Sequence, residues 1–287
     1  MRLAVNSLIY RDIVARALAE DLGRGGDLTT DLVFGADHQS FSIFRARESG
    51  VLAGLEPALE VFHQLSDRVL VDEALTDGTL LVPGTVIARI SGPTRALLTG
   101  ERTALNLLGH LSGVATRTRG LVDAIAGTKA AIVDTRKTLP GLRALQKYAV
   151  TVGGGRNHRF GLDDAILIKD NHIAACGSLT EAVRRVRAGV GHTVKIEVEV
   201  DTLTQFDEAL ALEPEIILLD NFTVADLQTA VARRDAGSPI QRRILLETSG
   251  RVTEATARTL ADTGVDLISV GALTHSVTVL DIGLDTE

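Results

Sequence analysis

The sequence predicts an α/β protein in which an N-terminal α+β domain of the open-sandwich kind precedes an incomplete (β/α) barrel. The prediction rests first on the second half of the chain, where β-branched runs alternate with helical patterns in the manner of repeated βα units. A series of such units predicts parallel strands with right-handed crossovers. The runs are AAIVDT (130–135), AILIKD (165–170), TVKIEVEV (193–200), EIILLD (215–220), RILLET (243–248) and DLISVG (266–271).

The ends of these runs are the second observation. Nearly every run finishes in polar or small residues, and the carboxyl ends of barrel strands meet at one mouth, where active sites lie. An open sheet has the same strand rhythm but would spread these residues along an edge. Because six strands fall short of the eight of a closed barrel, we expect an incomplete one. The helices between the strands have N-cap residues at Ser178, Thr202, Thr223 and Thr253.

The first part of the chain lacks this rhythm. Helical patterns cover about 8–22 and 94–112, and strand-like runs lie between them. We therefore expect an N-terminal α+β domain at 1–112 and a barrel domain at 113–274. Residues 275–287 are predicted to be a C-terminal segment that returns to the N-terminal domain.

Composition limits the functional classes. The chain has 287 residues, a net charge of −7 and 3% aromatic residues, which argues against a surface for nucleic acid or anionic membrane. A single cysteine, Cys176, permits no internal disulfide and fits a reducing cytoplasm. The N-terminal segment lacks an apolar signal region, and no run is long enough to span a membrane.

Cations are nevertheless concentrated in DTRKTLPGLRALQKYAVTVGGGRNHR (134–159), which holds six Lys or Arg residues. The βα pattern divides them: Arg136 and Lys137 end a strand, whereas His158 and Arg159 follow a glycine turn that suits an anion. A solvated loop pair and a flexible glycine loop are the plainer alternatives. We expect Arg143 and Lys147, on the helix between, to be solvated or at a subunit contact.

Further charged residues lie where buried or apolar positions are predicted. Arg102 shares a helical stripe with Leu98 and Leu105, so it either snorkels to solvent or projects into a site. Lys169 follows three apolar strand residues, and a buried lysine requires a partner.

Acidic residues follow the next two strands. In KIEVEVD, charged and apolar residues alternate, so one face of the strand is charged. A structural ion-pair layer accounts for Lys195 and Glu197. Glu199 and Asp220 lie nearer the strand ends, and opposite many cations they suit a substrate with hydroxyls and phosphates, together with Mg²⁺ bound directly or through water.

The last two strand-to-loop turns, SGR (249–251) and VGALTHS (270–276), are small enough to let backbone amides approach a phosphate, as in many β/α barrels. Dinucleotide and P-loop fingerprints are absent, as are the nucleophile elbow and the paired acids of the common phosphoribosyltransferases.

Together the motifs TRKTLPGLRALQKYAV, GGGRNHRFGLDDAILIKDNHI, EVEVD, LLDNF and VGALTHS resemble the quinolinate phosphoribosyltransferase family, and the resemblance extends to EDLGRGGDLTT and GERTALNLLGHLSG. It implies transfer of phosphoribosyl from phosphoribosyl pyrophosphate to quinolinate with decarboxylation. The products are nicotinate mononucleotide, pyrophosphate and CO₂, in NAD biosynthesis. It also implies Mg²⁺ and a homodimer, or a larger assembly, with shared active sites.

The resemblance also implies roles for single residues. Arg102, lent by the partner subunit, would bind quinolinate with Arg136, His158, Arg159 and Lys169. Lys137 would lie between the two substrates, and Glu199 and Asp220 would hold ribose hydroxyls or the metal. With Lys169, these last three form the predicted catalytic set. The phosphate turns correspond to Ser249, Gly250 and Gly271. Arg251 departs from the pattern, since glycine is frequent there.

Two other functions remain open from the sequence. A paralogue of the same fold is associated with molybdate transport, although such paralogues tend to lose the KDNH motif that this chain retains. A non-catalytic sensor of phosphates or metabolites would bind such ligands without turnover.

Overall fold

The computed structural model describes residues 5–286, which form two compact units. The first contains residues 5–119, 138–154 and 272–286, and the second contains Gly120–Lys137 and Gly155–Gly271. The chain therefore passes between the units several times. The boundaries predicted from the sequence, 1–112, 113–274 and 275–287, stay a prediction.

The helices and strands are numbered along the chain. The helices are α1 (Ser7–Leu22), α2 (Leu28–Val33), α3 (Leu55–Leu65), α4 (Thr94–Ala124), α5 (Arg143–Gly153), α6 (Asp170–Cys176), α7 (Leu179–Gly189), α8 (Leu203–Leu212), α9 (Val224–Ala236), α10 (Glu254–Ala261) and α11 (Ala272–His275), with a 3₁₀ turn at Gln241–Arg243. The strands are β1 (Gln39–Ala46), β2 (Gly50–Val51), β3 (Leu70–Ala74), β4 (Leu80–Leu81), β5 (Val86–Pro93), β6 (Ala131–Val133), β7 (Ile166–Ile168), β8 (Ile196–Val200), β9 (Ile216–Asp220), β10 (Leu245–Ser249), β11 (Leu267–Ser269) and β12 (Ile282–Thr286).

The first unit is built on an antiparallel sheet of order β12-β1-β5-β3. The last strand, β12, pairs with β1, with Phe44 opposite Leu284. Phe44 is fully buried and meets Phe62 of α3 edge to face, with the ring centroids 5.9 Å apart. Helix α3 therefore packs against this sheet through buried aromatic side chains, and the predicted α+β architecture is confirmed.

The second unit is a parallel sheet of order β6-β11-β10-β9-β8-β7. The first and last of its strands in sequence, β6 and β11, pair with each other, as they would in a barrel. Within the described residues no ladder joins β6 to β7, so the ring is open there. The predicted α/β class and incomplete barrel are confirmed.

Helix capping in the second unit follows the sequence. The side chains of Ser178, Thr202, Thr223 and Thr253 each accept a hydrogen bond from a backbone N–H in the first turn of α7, α8, α9 and α10 respectively. These caps fix where each helix begins after its strand. At β7 the helix follows at once, because Lys169 is the N-cap residue of α6.

The predicted end of α4 near residue 112 is wrong, because the helix continues to Ala124. Its glycines allow close packing instead of ending the helix. Within the first unit, the Gly109 carbonyl accepts a hydrogen bond of 3.0 Å from Leu280 N–H. A Cβ at Gly113 would lie 2.2 Å from the Thr278 carbonyl oxygen. No helix in the described part of the chain is long and apolar enough to cross a membrane.

The expected solvation of the cations on α5 is wrong for Lys147, which is 1% exposed. Helix α5 is buried on most of its circumference. The four-residue spacing of Arg143 and Lys147 therefore did not mean that both lie on an exposed face. Arg143 is half-buried and donates from Nε to Thr138 Oγ1 at 3.0 Å. Both residues belong to the first unit.

We expect Gly113→Ala to lower the free energy of unfolding by about 1–3 kcal/mol, because the new methyl group meets a backbone carbonyl that has little room to move. Gly189→Ala in α7 is the matched control, since a Cβ there meets nothing within 4 Å. Alanine should raise stability there by about 0.5–1 kcal/mol through helix propensity. Urea denaturation of both variants measures the difference. Equal effects would contradict the packing role of Gly113.

Candidate active site

The candidate site is a cavity of about 370 Å³ at the carboxyl ends of the parallel strands of the second unit. Paired residues on neighbouring parallel strands face the same side. The register places Glu199 beside Leu218, and Asp220 beside Ser249. Inward-facing strand residues of this kind line the cavity, together with residues of the loop after β6 and of the segment after the glycine turn. It comprises Thr135, Arg136, Lys137, His158, Arg159, Leu167, Lys169, Glu199, Leu218, Asp220, Glu247, Ser249 and Ser269.

Most of the residues predicted for the site therefore lie in one cavity. Three of them do not line it. Gly250 lines a neighbouring cleft of about 560 Å³ with Ser249 and Arg251. Gly271 lies in the turn between β11 and α11. Arg102 belongs to the first unit.

Two guanidinium groups enter the cavity from the same side of the open barrel. Arg136 lies in the loop after β6, and the segment before Arg159 is bridged to β6 through the pair Val133 and Arg156. Burial lowers the pKa of Arg159, and the positive charge of Arg136 lowers it further. The Arg159 guanidinium donates to the Ala165 carbonyl at 3.2 Å. Like charges held together in this way favour an anionic ligand.

Carboxylates lie at the strand ends across the cavity. Lys169 Nζ forms a short hydrogen-bonded ion pair with Glu199 Oε2. Asp220 accepts hydrogen bonds on both oxygens, from Ser249 Oγ and from Asn221 Nδ2. The cavity thus has a cationic side and an acidic side, which suits a ligand that carries carboxylates at one end and hydroxyls at the other.

A buried cluster of His158, Glu197 and Glu247 lies one layer deeper in the barrel. His158 Nε2 is 2.9 Å from Glu197 Oε2 and 3.6 Å from Glu247 Oε1. Burial raises the pKa of Glu247 to about 8, with a further contribution from the negative charge of Glu197. This shift favours the neutral form of Glu247, which reduces the repulsion between two buried carboxyl groups.

The sequence did not identify this cluster as a unit. The expected structural ion-pair layer is wrong for Lys195, which precedes β8 and is exposed, whereas Glu197 does pair, with His158. Asp134 was also missed, although it is fully buried and anchors the backbone of His158. The sequence did show acidic or polar residues two positions apart on each strand, at 197 and 199 and again at 247 and 249. This alternation could have indicated Glu197 and Glu247.

Arg102 lies on α4 in a separate cleft of about 440 Å³ within the first unit. It is exposed, and among the described residues its side chain has no hydrogen-bond or ion-pair partner. The cleft also contains Asn106 and His110, one and two turns further along the helix. His110 Nε2 lies 2.8 Å from Gln146 Nε2, and burial lowers the pKa of His110. Arg102 is therefore a free cation on a partly polar surface.

Comparison with known proteins identifies the family. Residues 27–112 match the N-terminal domain model of quinolinate phosphoribosyl transferase, and residues 114–285 match its C-terminal domain model. The chain is 53% identical to the carboxylating nicotinate-nucleotide pyrophosphorylase of Mycobacterium leprae, over 96% of each protein.

Two further relatives agree. A probable carboxylating nicotinate-nucleotide pyrophosphorylase of Bacillus subtilis is 43% identical, over 98% of this chain and 94% of that protein. The crystal structure of NadC from Streptococcus pyogenes superposes with a TM-score of 0.93 at 38% identity, covering 99% of both chains. This chain belongs to the quinolinate phosphoribosyltransferase family.

Proposed function

We propose that this chain is a carboxylating nicotinate-nucleotide pyrophosphorylase. It transfers the phosphoribosyl group of phosphoribosyl pyrophosphate to quinolinate and releases pyrophosphate, CO₂ and nicotinate mononucleotide, a step of de novo NAD biosynthesis. The observation that carries the proposal is the group of cations at the strand ends of one cavity, opposite two carboxylates. The names of the relatives favour this enzyme over a transport-associated paralogue or a sensor. The cytoplasmic location stays a prediction.

The cationic side of the cavity would bind quinolinate. This substrate carries two adjacent carboxylates, and its charge would relieve the repulsion between Arg136 and Arg159. Guanidinium groups bind carboxylates through paired, charge-assisted hydrogen bonds. Lys169 adds a compact charge, and His158 completes the same end of the cavity. The volume of about 370 Å³ is within the usual range for a small-molecule site.

The acidic side would bind the ribose and the metal. Glu199 and Asp220 supply the hard oxygen donors that Mg²⁺ prefers, and one or two carboxylates with substrate phosphates commonly complete its coordination. The residues therefore fit Mg²⁺, which when bound would neutralise charge on the pyrophosphate. The hydrogen bonds from Ser249 and Asn221 hold the Asp220 carboxylate in a fixed orientation for this role.

The phosphate of the substrate would bind at the last two turns of the barrel. Gly250 has a φ of 149°, a conformation that favours glycine, and it lines the cleft next to Ser249. Gly271 opens the turn after β11. Lys137 lines the cavity from the loop after β6, where it could contact both substrates. Backbone amides in such turns bind phosphate without obstruction from a side chain.

The chemistry requires positioning and charge but no side-chain nucleophile. The pyridine nitrogen forms a bond to C1 of the ribose while the bond from C1 to pyrophosphate breaks. The resulting pyridinium stabilises the electron pair left on C2 when CO₂ departs, and C2 then takes up a proton. Arg136, Arg159 and Lys169 would hold the ring in line with C1. This positioning would be their main contribution to catalysis.

Arg102 would serve the active site of a second copy. It is an exposed cation without a partner in the described part of the chain, on a surface with polar neighbours. In a homodimer or a larger assembly with shared active sites, Arg102 would bind a substrate carboxylate in the site of the other copy. Such isologous interfaces place the same residue at both sites.

Turnover tests the proposed function directly. The purified protein is mixed with quinolinate, phosphoribosyl pyrophosphate and Mg²⁺, and nicotinate mononucleotide, pyrophosphate and CO₂ are measured. We expect all three products in equal amounts and none when Mg²⁺ is chelated. Product formed from nicotinic acid but not from quinolinate would contradict the proposal.

Arg136→Ala should raise the dissociation constant of quinolinate about 10- to 100-fold, because a charge-assisted pair is lost. Binding of phosphoribosyl pyrophosphate should change much less. Calorimetry with each substrate alone separates the two effects. Arg242→Ala is the matched control, since Arg242 is exposed in the 3₁₀ turn before β10 and does not line the cavity. Equal losses for both substrates would refute the assignment.

Subunit complementation tests the role of Arg102. Arg102→Ala and Arg136→Ala should each abolish most activity. Random pairing of the two inactive chains should then restore about a quarter of wild-type activity, because half of the dimers are mixed and each has one intact site. Activity after co-refolding is compared with that of each variant refolded alone. If Arg102 acts within its own chain, mixing restores nothing.

A further inference from the structure

The buried cluster of His158, Glu197 and Glu247 lies between two cavities of the barrel. The three side chains are 13%, 4% and 1% exposed. His158 and Glu247 line the candidate site, whereas Glu197 lines a second cavity of about 230 Å³ instead. Glu197 is therefore placed to act on the site through another residue and not by touching a substrate.

Both nitrogens of the His158 ring are engaged by the protein. The Arg159 backbone N–H donates to His158 Nδ1 at 2.8 Å. A ring that accepts at Nδ1 carries its proton at Nε2, where Glu197 Oε2 lies at 2.9 Å and accepts it. Glu247 Oε1, at 3.6 Å, is too far for a hydrogen bond. Both ring nitrogens of His158 therefore have a protein partner before any substrate binds.

The same contacts hold the backbone of a segment that belongs to no regular strand. The His158 N–H donates to Asp134 Oδ1 at 2.8 Å, and Asp134 is fully buried at the end of β6. The His158 side chain reaches β8 through Glu197. The residue fixed at the end of this chain of contacts is Arg159, whose guanidinium lines the cavity and makes one hydrogen bond, to Ala165, within the described residues.

We propose that Glu197 is a positioning residue that acts through His158 to hold Arg159 at the dicarboxylate end of the site. The inference deepens the proposed function and rests on it. It assigns Glu197 a role in quinolinate recognition, and it makes His158 the link between Glu197 and Arg159.

The orientation of Arg159 matters because its guanidinium stands near that of Arg136. The positive charge of Arg136 repels the Arg159 guanidinium, whereas the negative charges of Glu197 and Asp164 attract it. Because the guanidinium makes a single hydrogen bond to the protein, its orientation depends on these neighbours and on the position of its backbone. Two guanidinium groups in fixed orientations can bind the two carboxylates of a flat ring through paired hydrogen bonds. A displaced guanidinium loses that pairing. Glu197 therefore affects binding of the dicarboxylate and leaves the ribose and phosphate contacts in place.

A double-mutant cycle tests this link. Glu197→Ala and His158→Ala should each raise the dissociation constant of quinolinate about 10-fold or more, with that of phosphoribosyl pyrophosphate unchanged. The double variant should lose clearly less than the product of the two single losses, because both changes break one chain of contacts. Losses that multiply would show that Glu197 and His158 act independently, and would overturn the proposal.

Glu197→Gln tests whether the loss of affinity comes from the missing hydrogen bond or from disturbed packing. The glutamine oxygen can accept the same Nε2–H, so quinolinate affinity should recover most of what Glu197→Ala loses. Circular dichroism and thermal unfolding establish that each variant is folded. Glu208→Ala, which removes an exposed acid of α8, is the matched control. If glutamine fails to restore affinity in a folded protein, hydrogen bonding by Glu197 is not the cause.

Nuclear magnetic resonance of the ligand-free protein provides a readout that does not depend on the proposed reaction. With isotope-labelled histidine and arginine, His158 should carry its proton at Nε2, and Glu197→Ala should shift the resonances of the Arg159 amide. Unchanged resonances would refute the link even if quinolinate binds. Failure of the wild-type protein to bind quinolinate, with the resonances shifting as expected, would refute the proposed function instead.

Discussion

The site depends on holding two positive charges close together. The guanidinium groups of Arg136 and Arg159 line one cavity, and the charge of the first lowers the pKa of the second. The negative charges of Glu197 and Asp164 offset part of this repulsion at Arg159. The bridge of Arg156 to Val133 and the hydrogen bond from His158 N–H to Asp134 hold the backbone before Arg159. A dianion relieves the repulsion, so the protein is most complementary to a ligand of that charge.

Parallel pairing determines the rest of the cavity. Because paired residues of neighbouring strands face the same side, each second residue of β8, β9 and β10 points into the barrel. Glu197 and Glu247 lie on either side of His158, and Glu199, Asp220 and Ser249 follow toward the ends of the same strands. A barrel interior is usually filled by branched apolar side chains. Here a histidine lies between two acids, and the raised pKa of Glu247 favours its neutral form.

The net charge of −7 does not conflict with an anion site. Coulomb interactions between exposed charges are screened within about 10 Å in salt solution, so the distant acidic surface contributes little inside the cavity. What the ligand meets is the local arrangement of Arg136, Arg159 and Lys169. The last of these is paired with Glu199, which links the cationic side of the site to its acidic side.

The sequence alone determined the strand rhythm, the helix caps and the presence of charged residues at strand ends, because periodicity and capping depend on neighbours in the chain. It also carried the motifs of the family. It did not reveal that α4 runs on to Ala124, that Lys147 is buried, or that Lys195 is separate from Glu197. Each of these depends on what packs against the residue from a distant part of the chain.

The tertiary structure decided which charges face one another. Asp134, His158, Glu197 and Glu247 come from four separate segments, and only the register of the parallel strands brings them into one buried cluster. A pattern of acids along a strand shows that one face is charged, but the partner of each acid lies on another strand. The sequence thus determined the fold class and the residue types of the site, and the folded barrel decided their contacts, because hydrogen bonds and buried charges depend on distances that the order of residues does not contain.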